Sequence, residues 1–117
     1  MNYQVRTKQL LSIASATLVL SFSANSFAAV DVDAAKTLAR QNSCFICHSV
    51  DKEKVGPTFT KIAAKYRGKA DAEAKLTNHL TTGEMAKFPD GHEEHHKVIN
   101  TKDMGAIHNL VDWILSL

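Results

Sequence analysis

Cysteine is scarce in this chain of 117 residues, which contains only Cys44 and Cys47. A disulfide between two residues so close in sequence would close a very short ring and would restrain the unfolded chain little. The pair therefore does not provide the disulfide framework that stabilises many small extracellular domains. Another use of the two cysteines, as ligands of a metal or cofactor, is expected.

The chain also lacks an apolar run long enough to span a membrane comfortably. The run over residues 10–22 is shorter than the roughly 20 residues that a transmembrane helix needs. Arg6 and Lys8 precede it, and a small-x-small cleavage pattern follows it. This arrangement predicts a secretory signal peptide over residues 1–28 and one mature domain over residues 29–117, exported to the periplasm and without a membrane span.

An excess of positive charge is missing from the predicted mature domain. The whole chain has 14 Lys and Arg against 12 Asp and Glu, a formal net charge of +2. Removing Arg6 and Lys8 leaves 12 against 12, since residues 1–28 contain no acidic residue. A balanced charge gives no support to nucleic-acid binding.

A domain of this size is also marginally stable without a disulfide, metal or cofactor.

The two cysteines belong to the sequence CFICH, in which His48 directly follows Cys47. C-x-x-C-H is the attachment motif of c-type haem. On one turn of helix the thiols of Cys44 and Cys47 can reach the two vinyl groups of one haem edge as thioethers. The imidazole of His48 then points at the iron from the same side. The motif predicts one covalently bound haem c with His48 as an iron ligand.

Other uses of the cysteine pair are alternatives to haem attachment. A thioredoxin-like C-x-x-C would follow a strand within a βαβ pattern, and no run of β-branched residues is found there. A zinc site would combine Cys44 and Cys47 with two histidines of residues 92–96, much farther along the chain than in compact zinc modules. A simple redox disulfide would leave His48 without a role.

Helical periodicity predicts about four helices with long loops and no convincing strand, an all-α fold. The predicted helices cover residues 32–43, residues 58–68, residues 71–83 and a C-terminal segment that begins between residues 101 and 103. Asp33 is the expected cap of the first helix. Met104 is expected in the core because it keeps helical spacing with Ile107 and Val111. Residues 89–91, Pro-Asp-Gly, favour a turn.

The sequence CFICHSVDKEKVGPTFTKIAAKYRGKADAEAKL resembles the corresponding part of the small bacterial class I cytochromes c of the c551/c552 and c5 kinds. The closing LVDWILSL is similar to their last helix, which crosses the first. The resemblance extends over essentially all of residues 29–117 and implies the cytochrome c fold around one haem. It also implies that Cys44 and Cys47 form the thioethers and that His48 is the proximal ligand. The Pro57 carbonyl would accept a hydrogen bond from the far nitrogen of His48.

The second axial ligand of that family is usually a methionine, often followed by proline, shortly before the last helix. No Met-Pro pair occurs in this chain. Met85 lies too early and Met104 too late, and the sequence GHEEHHKV occupies the corresponding place. A loop histidine is therefore expected as the distal ligand. His96 is the first choice and His95 the second, followed by His92 and Met85.

The resemblance implies a one-electron carrier and not an enzyme. Redox proteins would be its partners, and the chain would act as a monomer or as a small subunit. The lysine-rich segment over residues 52–69 would either steer an acidic partner or form an ordinary solvated face. The alternative is a five-coordinate haem that binds a small gas or has weak peroxidase activity, with a loop histidine as the distal group. A loop site for copper or zinc beside the haem is a third hypothesis.

Overall fold

The computed structural model describes residues 29–117, so the predicted signal peptide lies outside the described residues. The elements follow one another as α1 (Val32–Gln41), α2 (Cys44–Cys47), α3 (Phe59–Tyr66), α4 (Ala72–Thr82), β1 (Met85–Lys87), β2 (Glu93–His95) and α5 (Met104–Leu115). The four predicted helices are present, and the short helix α2 is the cysteine motif itself. Over residues 29–117, every helix is too short or too polar to cross a membrane.

Helix α5 is the element on which the other long helices assemble. Helices α1, α3 and α4 all pack against it. Ala35 and Ala39 of α1 are completely buried, and their small side chains let α5 approach closely. The core also takes in Phe59 of α3 and Leu76 and Leu80 of α4. The buried stripe of α5 consists of Ile107, Leu110, Val111, Trp113 and Ile114.

Polar side chains cap three of the long helices, although one cap was predicted wrongly. Asp31, and not Asp33, begins α1, and its carboxylate accepts a hydrogen bond from the Ala34 N–H at 2.9 Å. Thr58 and Asp103 cap α3 and α5 in the same way, each accepting a backbone N–H three residues later. These bonds satisfy N–H groups that have no partner inside the helix.

Two further expectations about the helices were wrong. Helix α1 ends at Gln41 and not at residue 43, because Ser43 adopts a left-handed backbone with φ of 60° that turns the chain into the cysteine motif. Met104 is 44% exposed and does not belong to the core. Helix α5 begins at this residue, and its next residue, Gly105, is exposed as well, so the start of the helix lies outside the packed region.

A short β-hairpin was not predicted. Strands β1 and β2 pair antiparallel, with Met85 opposite His95. The expected turn between them is present, since the Gly91 N–H donates to the Phe88 carbonyl at 2.9 Å and Gly91 has φ of 92°. All but one of the six strand residues are exposed, so no alternation of apolar and polar residues marks these strands in the sequence.

A reciprocal pair of hydrogen bonds joins the start of α1 to α5. The Asp31 N–H donates to Asn109 Oδ1, and Asn109 Nδ2 donates to the Asp31 carbonyl, both at 2.8 Å. The side-chain amide of Asn109 thus uses a donor and an acceptor on the same backbone residue. This fixes the N-terminal end of the described chain to the central helix.

Replacing Asn109 by alanine removes both bonds. We expect Asn109→Ala to lower the free energy of unfolding by about 1–2 kcal/mol, because each such bond contributes about 1 kcal/mol net. Guanidinium denaturation of the haem-loaded protein, followed by circular dichroism, measures the change. Lys102→Ala, at an exposed position just before α5, serves as the control. Equal stability of Asn109→Ala and the wild type would contradict this account of the contact.

Candidate haem-binding site

Helix α2 presents the two cysteines of the C-x-x-C-H motif on one helical turn. Cys44 and Cys47 are its first and last residues, and both are partly buried free thiols. Phe45 lies between them and packs edge-on against Phe59 and Trp113, with ring centres 5.8 and 6.5 Å away. These aromatic contacts anchor the turn to the core. Burial raises the pKa of the Cys44 thiol, which is therefore protonated at neutral pH.

His48 follows α2 in an extended conformation, and its ring is held from two sides. The Nδ1 atom lies 2.7 Å from the Pro57 carbonyl oxygen. Since a carbonyl can only accept, Nδ1 carries the hydrogen, and in the neutral ring Nε2 keeps a free lone pair. The ring also stacks on Phe59, with centres 5.3 Å apart and planes 21° from parallel. The expected contact between His48 and Pro57 is therefore present.

Gly56 allows the backbone to pass directly against the His48 ring. A Cβ atom at residue 56 would lie 2.7 Å from Cε1 and 2.9 Å from Nδ1 of His48, so a side chain does not fit there. The Gly56 N–H donates to the Cys47 carbonyl at 2.7 Å and folds the loop back onto the motif. This close approach of Gly56 to the ring was not predicted from the sequence.

His96 is the loop histidine whose ring lies near His48. The ring centres of His48 and His96 are 6.1 Å apart, and the planes are tilted by 45°. The Nδ1 atom of His96 is 3.0 Å from the Lys97 carbonyl oxygen, which leaves its Nε2 free as in His48. The backbone N–H of His96 donates to the Glu84 carbonyl at 2.9 Å, which ties the residue to the start of the hairpin.

The other sequence candidates for the distal position have different surroundings. His95 is exposed, and its Nδ1 lies 2.8 Å from a backbone carbonyl oxygen. The two ring nitrogens of His92 face Asp90 and Glu94, and the ring stacks on a neighbouring phenylalanine. Met85 is 52% exposed on β1. Of the three loop histidines, only His96 has its ring near that of His48.

His79 of α4 was missed as a site residue. Its ring centre is 4.2 Å from that of His96, and the planes are tilted by 42°. Helical spacing did not single out His79, because its partner lies in an irregular segment whose position the sequence does not reveal. Burial, followed by the charges of His79 and His48, lowers the pKa of His96 from its ordinary value of 6.5. The His96 ring is therefore neutral at neutral pH, the form that binds metal ions.

A metal site built by protein side chains alone is not found in the part of the chain that the structure describes. No three His, Cys, Asp or Glu side chains converge there on a position for a metal ion. The zinc site considered for Cys44, Cys47 and the loop histidines has no counterpart among these residues, and neither has the loop site for copper or zinc.

Comparison with known proteins identifies the family. The cytochrome c family model matches residues 32–117. The chain belongs to the cytochrome c family. Its structure is similar to that of the class 1 cytochrome MtoD from Sideroxydans lithotrophicus ES-1, with 73% sequence identity, a TM-score of 0.73, and coverage of 75% of this chain and 97% of that one.

Two curated relatives agree with this assignment. Cytochrome c-552 of Nitrosomonas europaea is 36% identical over 104 residues, which cover 89% of each chain. Cytochrome c-551 of Pseudomonas denitrificans is 48% identical over 51 residues, which cover 44% of this chain and 62% of that relative. The predicted family, the all-α cytochrome c fold and the single covalently attached haem c are therefore confirmed. The protein is an electron carrier and not an enzyme, and other redox proteins are its partners.

The separation of the His48 and His96 rings would allow both to bind one haem iron. An imidazole nitrogen binds a metal ion at about 2.0–2.1 Å and the ring centre lies roughly 1.1 Å farther away, so two imidazoles on opposite sides of one ion have centres about 6.3 Å apart. The separation of 6.1 Å between His48 and His96 agrees with this value. Each ring also engages its Nδ1 with a backbone carbonyl, which leaves Nε2 for the metal.

Gly56→Ala tests the close approach at His48. The added methyl group would overlap the ring and weaken its hydrogen bond to Pro57, so we expect less haem-loaded protein and a high-spin fraction in the ferric spectrum at neutral pH. Gly105→Ala is the control, because its Cβ would meet only an Asp103 side-chain oxygen at 3.2 Å. Wild-type yield and spectrum in Gly56→Ala would show that the ring tolerates a side chain at residue 56.

Proposed function

We propose that this cytochrome is a periplasmic one-electron carrier whose haem iron is bound by His48 on one side and His96 on the other. Cys44 and Cys47 would hold the haem through thioethers, as the C-x-x-C-H motif requires. The observation that carries the proposal is the separation of 6.1 Å between the ring centres of His48 and His96. The predicted signal peptide supports the periplasmic location.

His48 and His96 have different roles in this proposal. The bound haem supplies an iron centre that is reversibly oxidised and reduced by one electron. Pro57 orients His48 and makes its ring more basic by accepting the Nδ1 hydrogen. His96 offers a neutral ring from the segment that follows the hairpin, in the place where the family usually has methionine. With one side chain on each side of the iron, the haem would have no open position for a substrate.

The identity of the two iron ligands also affects the reduction potential. Methionine opposite histidine raises the potential of a cytochrome c. Imidazole is a better donor to ferric iron, so this carrier should have a lower potential than His/Met relatives. The five-coordinate alternative, with gas binding or peroxidase chemistry, would require the neutral, partly buried His96 to stay off the iron. Its position beside His48 favours the six-coordinate carrier.

His96→Ala is the decisive variant for this proposal. We expect the ferric wild type to be low-spin and to lack the near-infrared band of an iron–thioether bond. Loss of the His96 imidazole should convert the ferric haem to high spin at neutral pH. Absorption and electron paramagnetic resonance (EPR) spectra of the haem-loaded proteins measure this change.

His95→Ala and His92→Ala are matched controls from the same loop and should remain low-spin. A thioether band in the wild type that disappears only in Met85→Ala would refute the proposal and would assign the distal position to methionine. A low-spin His96→Ala together with a high-spin His95→Ala would transfer the role to His95.

Acid should release His96 from the iron. Because the pKa of His96 is lowered in the folded protein, the unfolded chain takes up a proton at this residue at a higher pH than the folded chain. The stability that the neutral ring provides is complete above the ordinary pKa of about 6.5 and is lost as the pH falls from there through the lowered pKa. Iron binding moves the release lower still.

We therefore expect a reversible low-spin to high-spin conversion well below pH 6.5 in the ferric protein, before the helices unfold. Absorption and circular dichroism followed in one titration separate the two events. A spectrum that changes only when the helical signal is lost would contradict the expected release.

A further inference from the structure

We infer that His79 and Glu84 are positioning residues that hold the His96 ring in one orientation at the haem iron. The inference rests on the proposed role of His96 as the distal axial ligand. It concerns a contact between α4 and the segment after the hairpin that the cytochrome c motif does not specify.

The rings of His79 and His96 are in contact. His79 lies near the end of α4, and its ring centre is only 4.2 Å from that of His96. Planar rings at this separation and a tilt of 42° touch each other. The His79 ring therefore limits the orientations that are open to the His96 side chain.

The carboxylate of Glu84 holds the His79 ring. Its Nδ1 lies 3.2 Å from Glu84 Oε2, and Asn78 Nδ2 donates to the other oxygen, Oε1, at 2.5 Å. Glu84 follows α4 closely and is thus joined to two of its side chains. The His79 ring is held at one nitrogen and cannot swing freely.

The backbone of Glu84 also contacts His96. Its carbonyl oxygen accepts the N–H of His96 at 2.9 Å. Glu84 therefore holds His96 twice, directly through the main chain and indirectly through the His79 ring. Gly83, immediately before it, has φ of 66°, and a Cβ there would lie 3.0 Å from the His96 carbonyl oxygen, so this crossing of the two segments is tight.

The effect of this arrangement should be visible at the iron more than in global stability. The side chains of His79 and Glu84 are 32% and 51% exposed, and pairs at such positions contribute little to the free energy of unfolding. By contrast, partners of a metal ligand commonly change metal binding 10–100-fold when they are removed. The angle between the His48 and His96 planes, 45° in this structure, also influences the EPR g values of a low-spin ferric haem.

The experiment uses the haem-loaded protein and the variants His79→Ala, Glu84→Ala and the double variant. We expect shifted or broadened g values and cyanide binding to the ferric haem that is about tenfold faster, because cyanide must first displace His96. The double variant should show no larger effect than His79→Ala, since the two residues act as one unit. His108→Ala is the matched control: His108 also faces a glutamate, Glu73, at 3.8 Å with similar exposure, and it should behave like the wild type.

Wild-type g values and cyanide rates in both single variants would overturn the inference, and so would an equal change in His108→Ala. If His79→Ala does not fold, His79→Gln replaces it, because glutamine keeps a donor for Glu84 but removes the ring. The same shift in His79→Gln supports the inference, and a wild-type signal refutes it. A high-spin His96→Ala with an unchanged His79→Ala refutes only the positioning role. A low-spin His96→Ala refutes both the proposed ligation and this inference.

Discussion

The approach of His96 to His48 is the constraint on which the site depends. The two rings come from distant parts of the chain, yet their centres are 6.1 Å apart and each leaves its Nε2 free. His48 is fixed by a short loop that Gly56 allows to pass and that ends in the Pro57 carbonyl. His96 is fixed by α4 and by the hairpin that follows it. Helices α3 and α4, which flank these two supports, both pack on α5.

The three histidines of the loop have three different surroundings. His92 faces two carboxylates at the exposed end of the hairpin. His95 closes onto a backbone carbonyl and remains exposed. His96 alone is partly buried, and its lowered pKa keeps it neutral. Under the proposed ligation, His96 would replace a thioether by an imidazole, which would favour ferric iron and make the distal bond sensitive to protons.

Most of the fold could be predicted from the sequence because the helices form where local patterns of residues favour them. Apolar stripes identified four helices, and C-x-x-C-H identified the haem motif and the role expected of His48. The hairpin was missed because its strands carry exposed polar residues and their pairing depends on tertiary contacts. The burial of Met104 was predicted wrongly because periodicity cannot show where a helix leaves the core. The role of His79 was missed for a related reason. Its ring contacts His96 only when α4 and the loop are folded together.

The crystal structure of the haem-loaded protein in its ferric state would test the binding of iron by His48 and His96 most directly. We expect an iron with His48 Nε2 on one side and His96 Nε2 on the other, each at about 2.0–2.1 Å. We also expect Nδ1 hydrogen bonds from the two rings to the carbonyls of Pro57 and Lys97. An iron bound by the Met85 sulfur, or one with no side chain opposite His48, would contradict the proposed ligation.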